Sequence, residues 1–312
     1  MNQHTPIFDR NLYRKRREGL QVNSEAFSKL ASEVAIRLID RLSILKKDFK
    51  SCWQIGLDGG AFLRATTSVP CLQGMEVFVV SSSTTILSFS GLSRESLDPR
   101  NKSEDDKISA KLNFIVSDEE ALPIGPHTLD MIISPLGFQW VNDLKGVLLQ
   151  CLFGLKPDGL MMAAFVGEDS LWELQSVFRQ IELDVHGGVS NRFAPLISSK
   201  NAASLLQSSG FALPVVDRDR IILSYPNAAT LLNDIKDSGH GNMLLDRQSP
   251  PLTKGFLKRV EDLYQKDFFL PDGGIQVTLD LIFMSGWSPS SKQQQPLKPG
   301  SATYSLKDVL DT

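Results

Sequence analysis

Cysteine is scarce in this chain. Cys52, Cys71 and Cys151 are the only three in 312 residues, and no C-x-x-C pair occurs. That excludes a disulfide framework and a cysteine-based zinc module, and it fits a reducing compartment. Histidine is equally thin: His4, His127, His186 and His240 are scattered, so no metal site is expected. Excess positive charge is missing too. Lys and Arg number 33 against 36 Asp and Glu, a net charge of −3. A protein that tracks a nucleic-acid backbone needs a basic face, so nucleic acid is not an expected partner. No apolar run reaches the roughly 20 residues that a membrane-spanning helix requires. The basic N-terminal cluster Arg14, Lys15, Arg16 and Arg17 has no apolar stretch behind it, so it is not a secretory signal. It reads as a solvated arm leading into a helix, with a partner or an anionic membrane as the other openings. A cytoplasmic location follows, with peripheral contact at the inner membrane left open.

What is present is an alternation. Residues 24–46 carry Phe27, Leu30, Val34, Leu38, Leu42 and Leu45 at helical spacing, with Ser24 as the expected N-cap. Short apolar runs follow at SCWQIG, GMEVFVVSSS, KLNFIVSD, HTLDMIISPL and LMMAAFVG. Helical patterns at GGAFLRATT and LKGVLLQCLFGL separate some of them, and KPDG reads as a turn before the fifth run. Such alternation predicts an α/β fold with a parallel sheet and helices on both faces. Beyond residue 167 an amphipathic helix, a loop, a short helix ending at Gly210, a strand at 212–226, a mostly helical stretch and an alternating strand at 273–287 follow. The tail is polar and expected to be mobile.

In an open parallel sheet, ligands sit at the carboxyl ends of the strands, near the switch in strand order. Four stretches fall there. Gly56, Gly59 and Gly60 follow the first strand, where glycine lets a backbone approach a ligand; a tight strand-to-helix turn explains them equally. Asp58 interrupts that run of glycines, and Gln54 precedes it. Ser81, Ser82 and Ser83 end the second strand, where a carboxylate would grip a sugar diol; serines capping a helix are the other reading. Asp118 follows the third strand and could accept from an adenine amino group or cap a turn, while Glu119 and Glu120 read as solvated. Ser134, Gln139 and Trp140 end the fourth strand. Gln139 and Trp140 are the candidates to line a transfer site, where positioning does most of the chemical work and an indole face can meet a cation; a core tryptophan remains open.

The stretches IFDRNLYRKRR, FQWVNDLKGVLLQCLFGLKPDGL, FVGEDSLWEL, SYPNAATLLNDIKDSGHGN, FMSGW and PGSATYSLKDVL, in that order, resemble one family over nearly the whole chain. It is the alphaproteobacterial and mitochondrial methyltransferase-like family whose mitochondrial members are complex I assembly factors (assembly factor five). The malonyl-carrier-protein methyltransferase of the biotin pathway is a more distant likeness. The resemblance implies a class I S-adenosylmethionine-dependent methyltransferase sheet, Rossmann-like, with its last strand antiparallel. It implies a division into an arm and helix (1–50), a cofactor half (51–167), helical lid insertions (168–196 and 226–270), the remaining core (197–225 and 271–287) and a polar tail (288–312). S-adenosylmethionine is the implied ligand, held by Gly56, Asp58, Gly59, Gly60, Ser81, Asp118 and Ser134. A protein or carrier-bound substrate, or a respiratory complex I subunit, is the implied partner. The mitochondrial branch is associated with hydroxylating an arginine, so the fold leaves the reaction open: methylation, hydroxylation with His186 and His240 as candidate iron ligands, or assembly without group transfer. Four departures bear on the ligand. Gln54 replaces an acid, Asp58 a glycine, Ser81 the ribose-binding acid and Gln139 a histidine. Each charged hydrogen bond lost costs roughly 1.5–3 kcal/mol, about tenfold or more in affinity, so weak or absent binding is expected.

Overall fold

The computed structural model describes residues 5–19, 25–56, 60–66, 72, 74–82, 111–247, 250–271, 273–294 and 300–301. Ser24, Asp58, Gly59, Cys71 and most of the polar tail lie outside them, as do the side chain of Phe27 and the closing PGSATYSLKDVL apart from Gly300 and Ser301.

One seven-stranded sheet organises the chain: β1 (Ser51–Ile55), β2 (Glu76–Ser81), β3 (Lys111–Val116), β4 (Leu129–Pro135), β5 (Leu155–Val166), β6 (Ala212–Tyr225) and β7 (Ile275–Trp287). Their spatial order is β3-β2-β1-β4-β5-β7-β6. The first five pair in parallel, and β7 runs antiparallel to both β5 and β6. The order reverses between β1 and β4, which sets the switch point at their carboxyl ends.

The period of two divides the core. Met131 and Ile133 face one side with Cys52, and Ile132 faces the other with Trp53. Along β5, Leu160, Met162 and Ala164 alternate with Met161, Ala163 and Phe165 in the same way. Helices α2 (Glu25–Ser43) and α3 (Ala61–Thr66) cover the first face; α4 (Leu144–Gly154) and α6 (Ser199–Ser208) cover the second. Burial on both faces explains why these strands read as near-continuous apolar runs. A third core gathers α5 (Trp172–His186), α7 (Ala228–Asp237) and α8 (Lys254–Phe268) on Ile275 and Val277 of β7. Side-chain caps start α4, α6, α7 and α8 at Asp143, Ser198, Asn227 and Thr253.

The turn expected at KPDG lies inside β5 instead. Leu155 already pairs with Leu129, and the register then shifts before Met131 pairs with Leu160. Asp158 takes φ of 65°, its N–H donates to Ser288, and Lys47 ion-pairs with its carboxylate at 2.6 Å. The irregularity is a bulge held in the sheet, not a reversal of the chain.

Candidate functional site

The carboxyl ends of β1, β2, β3 and β4 form the floor of a crevice, and the N-terminal segment lies across it. Gly56 leaves β1 with φ of 96°, and a Cβ there would stand 2.4 Å from Gly137 Cα. A Cβ on Gly137 would stand 2.1 Å from Ile55 carbonyl oxygen. The two glycines therefore let the exits of β1 and β4 touch backbone to backbone. Ser134 is buried and donates to Ile55 carbonyl at 3.2 Å, tying the same two strands. Gly60 precedes α3 and accepts the Arg64 N–H. Ser81 is buried, and its carbonyl accepts from Ser117 N–H at 3.0 Å.

Charge concentrates above β2 and β3. Helix α1 (Arg10–Gly19) brings Arg10 and Arg14 there. Arg10 donates to Asp118 at 2.8 Å and to Glu119, and Arg14 donates to the other Asp118 oxygen. Burial alone would raise the Asp118 carboxyl; the Glu120 N–H and the two guanidiniums outweigh it and hold that carboxyl below its usual range. Glu119 is fully buried, not solvated. Its other oxygen accepts from Ser82 N–H at 3.2 Å and Ser82 Oγ at 3.1 Å, so this carboxylate sits at the end of β2. Glu120 is part-buried and accepts from Asn142 N–H at 2.5 Å. The basic cluster is likewise no solvated arm. Arg17 is buried, Arg16 donates to Asn242 carbonyl at 3.1 Å, and within it only Lys15 is exposed.

Gln139 forms a two-way clamp on the end of β5. Its Nε2 donates to Val166 carbonyl at 3.3 Å and its Oε1 accepts Val166 N–H at 2.8 Å. Trp140 is buried against Tyr13 and Met243, with Phe8 edge-on at 5.3 Å and His240 at 6.5 Å. Its carbonyl accepts from Arg10 at 3.3 Å. Asn142 fastens the strap, accepting from Ile7 and Phe8 N–H at 2.7 and 2.8 Å. On the far side, Asp9 N–H donates to Met243 carbonyl at 2.8 Å, and Arg247 pairs with Asp9 at 2.9 Å. The N-terminal segment thus joins the crevice floor to residues 242–247.

His240 Nδ1 lies 3.0 Å from Ser238 carbonyl, which accepts its proton, while Nε2 is buried with no partner among the described residues. Burial and the Arg17 charge push the imidazole down to about 4, so it is neutral. His186 ends α5 on the surface and does not join it. Among the described residues, no three His, Cys, Asp or Glu side chains converge as a metal site would require.

The structure therefore brings Asp118 and Trp140 together through Arg10, and Gly56 and Ser134 together at the β1–β4 contact. It directs Gln139 to β5. Asp58 and Gly59 are not described. The sequence reading missed Arg10, Tyr13, Glu119 and Asn142. IFDR and SDEE each stand out as charged, but the contact between them spans more than a hundred residues.

A family model described as a methyltransferase domain matches residues 67–163. The mitochondrial arginine-hydroxylase NDUFAF5 of Rattus norvegicus is 30% identical over 305 residues, covering 97% of this chain and 83% of that protein. Its Danio rerio counterpart is 28% identical, covering 97% and 89%. The malonyl-[acyl-carrier protein] O-methyltransferase of Laribacter hongkongensis is 31% identical over 187 residues, 60% of each chain. Among solved structures, a Bacillus halodurans protein assigned to the methyltransferases superposes with a TM-score of 0.53 at 11% identity, covering 82% of this chain and 99% of that one. The sheet order, the antiparallel β7 and these matches identify a class I methyltransferase fold. No helix among the described residues is long and apolar enough to cross a membrane.

Proposed function

The chain belongs to the family of the mitochondrial arginine-hydroxylase NDUFAF5, and on that premise we propose that it is a cytoplasmic assembly factor for respiratory complex I that binds a protein subunit and transfers no methyl group. One observation carries the reading. The polar groups over β2 and β3, where an adenosine would lie in this fold, are committed to the chain itself: Arg10 and Arg14 hold Asp118, and Arg10 holds Glu119. S-adenosylmethionine does not fit the residues so arranged. Its ribose needs a free carboxylate and its adenine a free acceptor. Ser81 offers no charge, and both nearby carboxylates are in ion pairs.

The same segment supports a binding role. An N-terminal segment tied to the floor through Asn142 at Ile7 and Phe8, and to residues 242–247 through Asp9, Arg16 and Arg247, offers a face for a partner subunit, peripheral to the inner membrane where such a complex sits. Deleting the gene in its host and measuring assembled complex I on native gels tests the proposal. Wild-type protein should restore the complex, and cross-links should join it to a complex I subunit. Mass spectrometry of those subunits should find no methyl group that depends on the gene. A gene-dependent methyl group refutes the reading, as does normal complex I in the deletion strain.

A further inference from the structure

We infer that Glu119 is a sugar-diol carboxylate carried on the wrong strand, and that Arg10 masks it. This rests on the reading that α1 closes the crevice. In nucleotide-binding α/β sheets an acid beyond the second strand grips the ribose hydroxyls. Here Ser81 and Ser82 stand at that strand end, uncharged. Glu119 replaces the lost acid from the β3 exit. The Ser82 N–H and hydroxyl draw one oxygen over the end of β2, and the side chain is fully buried there. The Gly56 turn is alongside, since Gly56 N–H donates to Val80 carbonyl at 2.8 Å. The carboxylate thus lies at the end of β2, beside the strand that leads into the first glycine, with the charge supplied from the loop after β3.

The second oxygen of Glu119 meets Arg10. A guanidinium presents N–H donors to a carboxylate much as two vicinal hydroxyls present O–H donors. Here one Arg10 nitrogen, Nη2, meets that single oxygen and Asp118 as well, so Arg10 takes the place of one sugar hydroxyl. Its other donors go to Asp118 and the Trp140 carbonyl, so one side chain occupies three acceptors around the same point. Removing Arg10 frees one oxygen of a desolvated carboxylate, an acceptor open to a sugar hydroxyl while Ser82 keeps the other oxygen in place. The ligand class is a nucleoside with free 2′ and 3′ hydroxyls.

Calorimetry on the full chain tests this with adenosine, 2′-deoxyadenosine and S-adenosylhomocysteine as probes. Wild type should show no binding up to about 1 mM. Arg10→Ala should bind adenosine and S-adenosylhomocysteine about tenfold or more tighter, the effect of one charged hydrogen bond. Adding Glu119→Gln to that variant should remove the gain, and 2′-deoxyadenosine should lose most of it. Arg10→Gln keeps a donor without the charge and guards against a folding defect in Arg10→Ala; thermal melting confirms that each variant is folded. Folded Arg10→Ala and Arg10→Gln with no gain overturn the inference. Equal binding of the deoxy ligand overturns it, as does a gain that survives Glu119→Gln. Micromolar binding by wild type overturns the mask. None of these outcomes depends on complex I levels, so the assembly role stands or falls separately.

Discussion

Acid should weaken this protein through one histidine, well above the range where its carboxylates titrate. His240 is neutral in the fold, with its imidazole pushed down to about 4 by burial and by Arg17. In the unfolded chain it returns to about 6.5. Between those values the unfolded state binds a proton that the folded state refuses, so stability rises with pH across that window and falls as pH is lowered through it. From pH 7 to pH 5 the unfolded imidazole becomes almost fully charged while the folded one stays neutral, a difference of about 2 kcal/mol. That is a large share of the 5–15 kcal/mol typical of a domain. His240→Asn keeps an N–H near the position of Nδ1, able to reach Ser238 carbonyl, and removes the titration. Urea unfolding at pH 7 and pH 5 should show wild type losing about 2 kcal/mol more than the variant. Equal losses in the two would refute the account, because they would mean that His240 is protonated as easily in the fold as out of it.

Two further changes follow from the crevice floor. Gly137→Ala should be severely destabilising or insoluble, costing about 2 kcal/mol or more, because its Cβ would stand 2.1 Å from a backbone oxygen that cannot swing away; expression yield and thermal melting read it directly. Gln139→Leu should cost about 1–3 kcal/mol by leaving the Val166 N–H and carbonyl without their partner. Chemical denaturation measures it, and a neutral result would show that water replaces the clamp without loss.

The sheet was legible because its signal is local. Five apolar runs bounded by Gly, Pro and Asp turns need only nearest-neighbour sterics to be read as strands, and burial on both faces made them continuous. KPDG misled for a physical reason: turn chemistry and bulge chemistry use the same residues, and only Leu155 pairing with Leu129 decides between them. The site was harder to read. The glycine at 56 fitted a ligand loop and a tight turn equally, since a backbone that must approach a ligand and a backbone that must approach Gly137 both exclude a Cβ. Glu119 and Glu120 looked solvated because an isolated carboxylate belongs in water. What buries Glu119 is a guanidinium 109 positions away, and one sequence carries no trace of that pairing.

The consequence reaches past this crevice. A loss read from sequence, such as Ser81 where an acid is expected, measures one strand end alone. The potential at that point is set by every charge that reaches it, and here a carboxylate from the loop after β3 and a guanidinium from α1 both do. Electrostatic energy depends on distance and not on which strand supplies the oxygen. An eroded motif can therefore coexist with a restored charge, and the restored charge can in turn be neutralised by a third element. Of the three, only the first was visible in the string of residues. The second and third required the fold, because they depend on α1 lying across β2 and β3, a placement fixed by Asn142, Trp140 and Met243.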